Sequence, residues 1–164
     1  MDEYDAMYAV AGMPTPVTLS PMSPTPHLAL AEVIVGKGIM VISDDIYENF
    51  LYDDQQFRTI ASLSDELKRN SIVINGVSKQ YAMTGFRIGW AVANKKLITC
   101  MTNIQSHQTS GPSVVLQAAA VAAIMGIQSG VGNLCATLEN NTNVLMDQLN
   151  SFEGVRATRP DGTF

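Results

Sequence analysis

Cysteine and histidine are scarce in this chain, with two of each in 164 residues. Cys100 and Cys135 have neither the spacing of a metal site nor the density of a disulfide scaffold. They read as two buried free thiols of a cytoplasmic protein. His107 sits in the polar run S-H-Q-T-S and His27 stands alone, so neither a metal site nor a Ser-His-Asp triad is expected. Charge is also sparse, at 15% of residues, and fifteen acids against ten bases leave a net charge of −5. That balance argues against nucleic acid as the main partner. Long apolar runs are missing too. The longest, around Val114–Met125, is alanine-rich and interrupted by Gln117, which is too short and weak for a membrane span. No basic segment precedes an apolar one near Met1, so no signal peptide is expected. Neither G-x-x-x-x-G-K-S/T nor G-x-G-x-x-G occurs, which removes the usual nucleotide-binding readings. No internal repeat is present.

What the chain does have is a hydrophobic fraction of 46%, enough for one well-buried domain. Residues Met1–Thr18 show no clear periodicity. Pro14, Pro16, Pro21, Pro24 and Pro26 rule out a helix and favour an extended, turning segment. His27–Val35 is a short helix candidate ending at Gly36 and Gly38. Ile39–Ser43 is a short, β-branched apolar run that reads as a buried parallel strand, and Ser71–Asn75 and Ile88–Ala93 read as the next strands. Between the first two, a loop leads to a short helix capped near Ser62 or Ser64. Lys95–Gln105, Ser113–Met125 and Asn133–Phe152 read as helices, the last with a stripe of Leu134, Leu138, Leu145 and Leu149. Val155–Thr158 alternates like a strand. Strands alternating with helices predict an α/β fold with a mostly parallel sheet and flanking helices.

In such sheets the ligand crevice lies outside the carboxyl ends of the strands. Asp44 and the segment Gly76–Lys79 both follow strand ends, which places two candidate sites on one edge. Lys79 and Arg87 are the cations of an otherwise nearly uncharged stretch between two apolar strands. Cations held there are costly unless an anionic partner accepts them. A desolvated lysine beside a second cation has a lowered pKa and suits Schiff-base chemistry, and the Arg87 fork suits a phosphate. Ser78 adds a hydroxyl. Asp44 reads either as a cap of the following turn or as a carboxylate for a protonated ring nitrogen. Tyr47 is close enough in sequence to reach the same ring.

Gly76-Val77-Ser78-Lys79 followed by Ala82-Met83-Thr84-Gly85-Phe86-Arg87-Ile88-Gly89 resembles the cofactor-lysine signature of the class I/II (fold type I) pyridoxal-phosphate-dependent aminotransferases. The upstream S-D-D-I-Y-E at Ser43–Glu48 resembles that family's aspartate-x-x-tyrosine motif. The flavour is closest to the bacterial aspartate and aromatic aminotransferases, and the resemblance covers residue 19 onward. It implies that Lys79 forms the Schiff base and moves the proton between Cα and C4′. It implies that Asp44 pairs with the pyridine nitrogen, Tyr47 bonds the ring oxygen, and Arg87, with Ser78, holds the phosphate. No metal is implied.

The resemblance has departures. Ser20–Pro26 matches the family's S-P-x-N-P-T-G turn with Ser23 for asparagine and Pro26 for glycine. Gly76 stands where some relatives place a phosphate-binding serine. Nothing before residue 19 resembles the family's N-terminal half, and its carboxylate-binding arginine has no counterpart. The expected organisation is therefore an unassigned segment (1–18), part of the large pyridoxal-phosphate-binding domain (19–152) and the start of a truncated small domain (153–164). The expected activity is transamination between an aspartate-like or aromatic amino acid and a 2-oxo acid, in a protein that is a homodimer when complete. Another fold type I reaction (β-lyase, decarboxylase or cyclase), or an inactive structural or interaction module, remains open. Weak binding of pyridoxal phosphate and self-association are expected of the chain alone.

Overall fold

A computed structural model describes residues 7–9, 31–35 and 37–163. The proline-rich segment, the Ser20–Pro26 turn and the beginning of the helix expected at His27 lie outside the described residues. Residues 31–35 are helical (α1) and bury Ala31 and Ile34. The chain turns at Gly38, whose φ of +61° glycine adopts without strain, and enters β2 (Val41–Asp44). The strand begins later than the apolar run does, because Ile39 and Met40 are exposed.

Helix α2 (Asp65–Asn70) is set by local chemistry. The Ser64 hydroxyl accepts the Leu67 N–H at 3.1 Å, acids occupy the first turn and bases the last. Leu67, at 1% exposure, joins Ala31, Ile34, Val41 and Ile60 in one core cluster. The chain passes straight into β3 (Ser71–Gly76), which pairs in parallel with β2, Val41 opposite Ser71 and Asp44 opposite Ile74. β4 (Gly89–Val92) returns antiparallel to β3, and β1 (Met7–Ala9) is antiparallel to β4. The order is β1-β4-β3-β2.

The α/β class and flanking helices are as expected, but the sheet is mixed where a mostly parallel one was predicted. Parallel strands need a crossover, usually a helix. The β3–β4 connection holds only turns and the short 3₁₀ segment Thr84–Phe86, so β4 comes back antiparallel. β1, in a segment without periodicity, is a further strand that the pattern did not indicate.

Helix α3 (Lys95–Gln108), capped by Asn94 accepting the Leu97 N–H at 3.0 Å, buries Ile98 against Ala91 and Ala93. Helix α4 (Val114–Met125) packs Ala120 and Leu116 on Val77 and Ile88, directly behind the lysine motif. Helix α5 (Ser129–Ser151) follows. Val155–Thr158 is not a strand. Its Ala157 N–H and C=O are taken by the Asn150 side chain, at 2.9 and 3.4 Å, so no neighbouring strand is paired.

The segment beyond α5 folds back on residues 50–53. Leu51 and Gly162 form an antiparallel bridge, flanked by Tyr52 N–H to Asp161 C=O at 3.0 Å and Thr163 N–H to Phe50 C=O at 2.8 Å. Arg159 adds ion pairs to Asp53 and Glu139. Both cysteines are free, yet neither is buried as expected. Cys100 is exposed on α3 and Cys135 is half-buried, its thiol donating to the Leu51 carbonyl at 3.4 Å. Among the described residues no single helix is long and apolar enough to cross a membrane.

Candidate active site

β2 and β3 run in parallel, so their carboxyl ends share one edge of the sheet, and the candidate residues follow from that. Asp44 ends β2 at 6% exposure. The Asp45 N–H donates to the Ile74 carbonyl at 2.8 Å, and the Ile46 N–H donates to Asp44 Oδ1 at 3.3 Å. Burial raises the Asp44 carboxyl above its ordinary pKa, while the Ile46 bond and the Lys79 charge pull the other way. A carboxylate under that tension is poised for a cationic partner.

The turn after Asp45 carries Tyr47 and is closed by Glu48 N–H to Asp45 C=O at 3.0 Å and Phe50 N–H to Tyr47 C=O at 2.9 Å. Phe50, 3% exposed, backs the Tyr47 ring at a centroid distance of 6.4 Å. The Lys79 Nζ lies 5.7 Å from the Tyr47 ring centroid, within cation–π range. Lys79 leaves β3 on the turn anchored by Val77, which is fully buried, and Ser78 is half-buried beside it.

One expectation changes here. Lys79 and Arg87 are not held between core strands; both side chains are exposed. The Lys79 charge acts on the Asp44 carboxyl. Arg87 closes the 3₁₀ turn Thr84–Phe86 with φ at +54°, and its Nη1 donates to the Thr84 carbonyl at 3.0 Å. Ala82, in the same loop, also has a left-handed φ, of +52°. A left-handed non-glycine residue costs about 1–2 kcal/mol, and such outliers cluster at functional loops. The fold therefore gathers Asp44, Tyr47, Ser78 and Lys79 at one edge, with the Arg87 guanidinium bonded back to its own loop.

Gly76 is explained by packing. A Cβ there would stand 2.8 Å from the Ile88 carbonyl oxygen and 3.1 Å from both Gly89 Cα and Ile46 Cδ1. A serine does not fit without moving backbone.

Four polar residues around the site were not singled out from the sequence. Asn75, 6% exposed, accepts the Gly76 N–H at 2.7 Å and bonds the Glu48 carboxyl. Burial pushes Glu48 up; the Asn75 bond lowers it and the Asp45 charge adds to the rise. Gln80 and Asn49 are bonded to one another through their side-chain amides. Their adjacency to Lys79, Asp44 and Tyr47 in sequence was the only available signal.

An open cleft of about 680 Å³ adjoins the site and is lined by Asp45, Glu48, Arg58, Asn75 and Trp90 among others. Val73, Asn75 and Trp90 alternate with Ile74 and Ala91 along the strands, so this cleft belongs to the face opposite Asp44's partner Ile74. It includes none of Asp44, Tyr47, Lys79 or Arg87. Among the described residues no group of three His, Cys, Asp or Glu side chains is arranged to hold a metal ion.

A buried carboxylate, a phenol, a hydroxyl and a primary amine converging on one edge fit a compact, ring-bearing carbonyl compound. The "Aminotransferase class I and II" family model matches residues 23–164. An aspartate aminotransferase of Geobacillus stearothermophilus is 40% identical over 152 residues, covering 88% of this chain and 39% of the relative. One from Bacillus subtilis is 38% identical over 136 residues, 83% of this chain and 35% of the relative. The crystal structure of the Rhizobium meliloti aspartate aminotransferase superposes with a TM-score of 0.84 at 36% identity, over 87% of this chain and 36% of that one. The aromatic aminotransferase of Pyrococcus horikoshii gives 0.83 at 28% identity, over 90% and 41%. The chain thus spans under two fifths of the length of the curated relatives it matches. With the family model covering all but the first residues, the chain belongs to the class I and II aminotransferases.

Proposed function

We propose that this chain carries the lysine edge of a pyridoxal-phosphate-dependent aminotransferase, moving an amino group between an aspartate-like or aromatic amino acid and a 2-oxo acid. The observation that carries the reading is the convergence of the buried Asp44 carboxylate with the Lys79 amine and the Tyr47 ring. Pyridoxal phosphate, when bound, supplies an electron sink that delocalises charge from the substrate Cα. Asp44 would hold the proton on the ring nitrogen, and its shielding from water strengthens that pairing. Tyr47 would donate to the ring oxygen. Ser78 and Arg87 would bind the phosphate, for which the Arg87 fork gives up its bond to the Thr84 carbonyl. Lys79 would take the substrate Cα proton as a base, its amine kept near by Tyr47 and Asp44. Homodimeric assembly belongs to the same reading, as does a reducing cytoplasmic setting, which the free thiols of Cys100 and Cys135 suit.

The test is a spectrophotometric titration of the chain with pyridoxal phosphate. An absorbance band that saturates with wild type and is missing in Lys79→Ala supports the reading. Identical titrations of the two proteins contradict it. A panel of amino acids with 2-oxoglutarate then assigns the substrate class.

A further inference from the structure

Gln80 follows Lys79 and is 3% exposed, so its amide must find partners inside the protein. Its Nε2 donates to the Gly76 carbonyl at 3.2 Å, which closes the turn that bears the lysine. Its Oε1 accepts from Asn49 Nδ2, on the separate turn that bears Tyr47. The two turns are therefore joined side chain to side chain, next to Lys79 on one and just beyond Tyr47 on the other. Lys79 itself is exposed, with burial on its own turn coming from Val77 and from Gln80. That turn is closed by Tyr81 N–H to Val77 C=O at 3.3 Å and Ala82 N–H to Lys79 C=O at 3.1 Å, bonds that do not reach the Tyr47 turn. A flexible four-carbon stem on a turn that can shift against its neighbour samples many positions.

We propose that Asn49 and Gln80 are positioning residues, whose amide–amide bond holds the Lys79 turn against the Asp44–Tyr47 turn and so places the amine beside Asp44 and over Tyr47. The role in catalysis rests on the reading of Lys79 as the reactive amine; the placement itself does not. Gln80 meets both requirements of a staple: burial forces it to bond, and each half of its amide serves a different turn.

The test uses Asn49→Ala, Gln80→Met and the double variant in the whole chain. The rate at which a small acylating reagent modifies Lys79 is measured by peptide mass spectrometry, with the exposed Lys95 of the same molecule as the internal standard. Each single substitution is expected to change the Lys79-to-Lys95 ratio by roughly three- to tenfold, the scale of one hydrogen bond. The double variant is expected to change it no further than Gln80→Met alone, because that substitution already removes the Asn49–Gln80 bond together with the bond to the Gly76 carbonyl. A general loss of structure would move both lysines and the thermal midpoint together. Asn49 is exposed, so Asn49→Ala keeps the test usable if Gln80→Met does not fold. An unchanged ratio in folded Asn49→Ala, or additive effects in the double variant, overturns the clamp. Borohydride reduction of the parent with pyridoxal phosphate separates the two readings. A Lys79 adduct with an unchanged ratio removes the clamp alone, whereas a responsive ratio with no adduct removes the catalytic reading and leaves the placement.

Discussion

Asp44 stands opposite Ile74 in the parallel ladder, and the Asp45 N–H bonds the Ile74 carbonyl at 2.8 Å, so the acid turn of β2 is locked to the last residues of β3. Everything assigned to the site depends on that register. A slip of one residue would turn Asp44 to the other face of the sheet.

The buried acid makes a pH prediction. Burial raises the Asp44 pKa above its unfolded value, so its neutral form favours folding below that value of about 3.8, and the contribution is lost as pH rises through the raised folded pKa. Asp44→Asn should therefore melt above the parent at pH 7, with the gap closing as pH falls toward 4. Thermal melts across that range check it; a gap that is constant or reversed contradicts it.

Gly76→Ala should destabilise the chain by about 1–3 kcal/mol, because its Cβ meets backbone at Ile88 and Gly89. Gly85→Ala, with nothing within 4 Å of its Cβ, should stay within about 0.5 kcal/mol of the parent. Denaturant titration of the pair gives the answer, and equal midpoints would remove packing as the reason for glycine at 76.

Helix α4 presents Val114, Val115, Val121 and Met125 to solvent at 60% exposure or more, continued by Ile127 at 91%. A patch of that kind drives association. Light scattering should show oligomers of the chain, reduced by Val115→Lys with Met125→Lys. A monodisperse monomer of the parent would rule out this surface as an association site.

Much of the frame was legible because its signals are local. β3 and β4 lie in short apolar runs on either side of a glycine-marked loop, and Ser64 before Asp65-Glu66 announces α2. What misled was anything needing a neighbour. Val155–Thr158 has the alternation of a strand, but Asn150 satisfies Ala157 instead. β3 and β4 are both buried-looking runs, and only the helix-free connection between them decides that they are antiparallel. The site was legible as a set, since Asp44, Tyr47 and Lys79 all follow strand ends. Their exposures were not, because an apolar flank in sequence does not bury a loop that projects beyond the sheet edge. Asn49 and Gln80 were missed because a polar residue in a turn looks the same whether it faces water or a partner.

The most direct test of the account is the site of covalent capture. The chain is incubated with pyridoxal phosphate, reduced with borohydride, digested and mapped by mass spectrometry. The expected result is a pyridoxyl adduct concentrated on Lys79 over Lys37, Lys68, Lys95 and Lys96, and weakened by Asp44→Ala. Adducts spread evenly over the lysines, or a Lys79 adduct indifferent to Asp44, would contradict it.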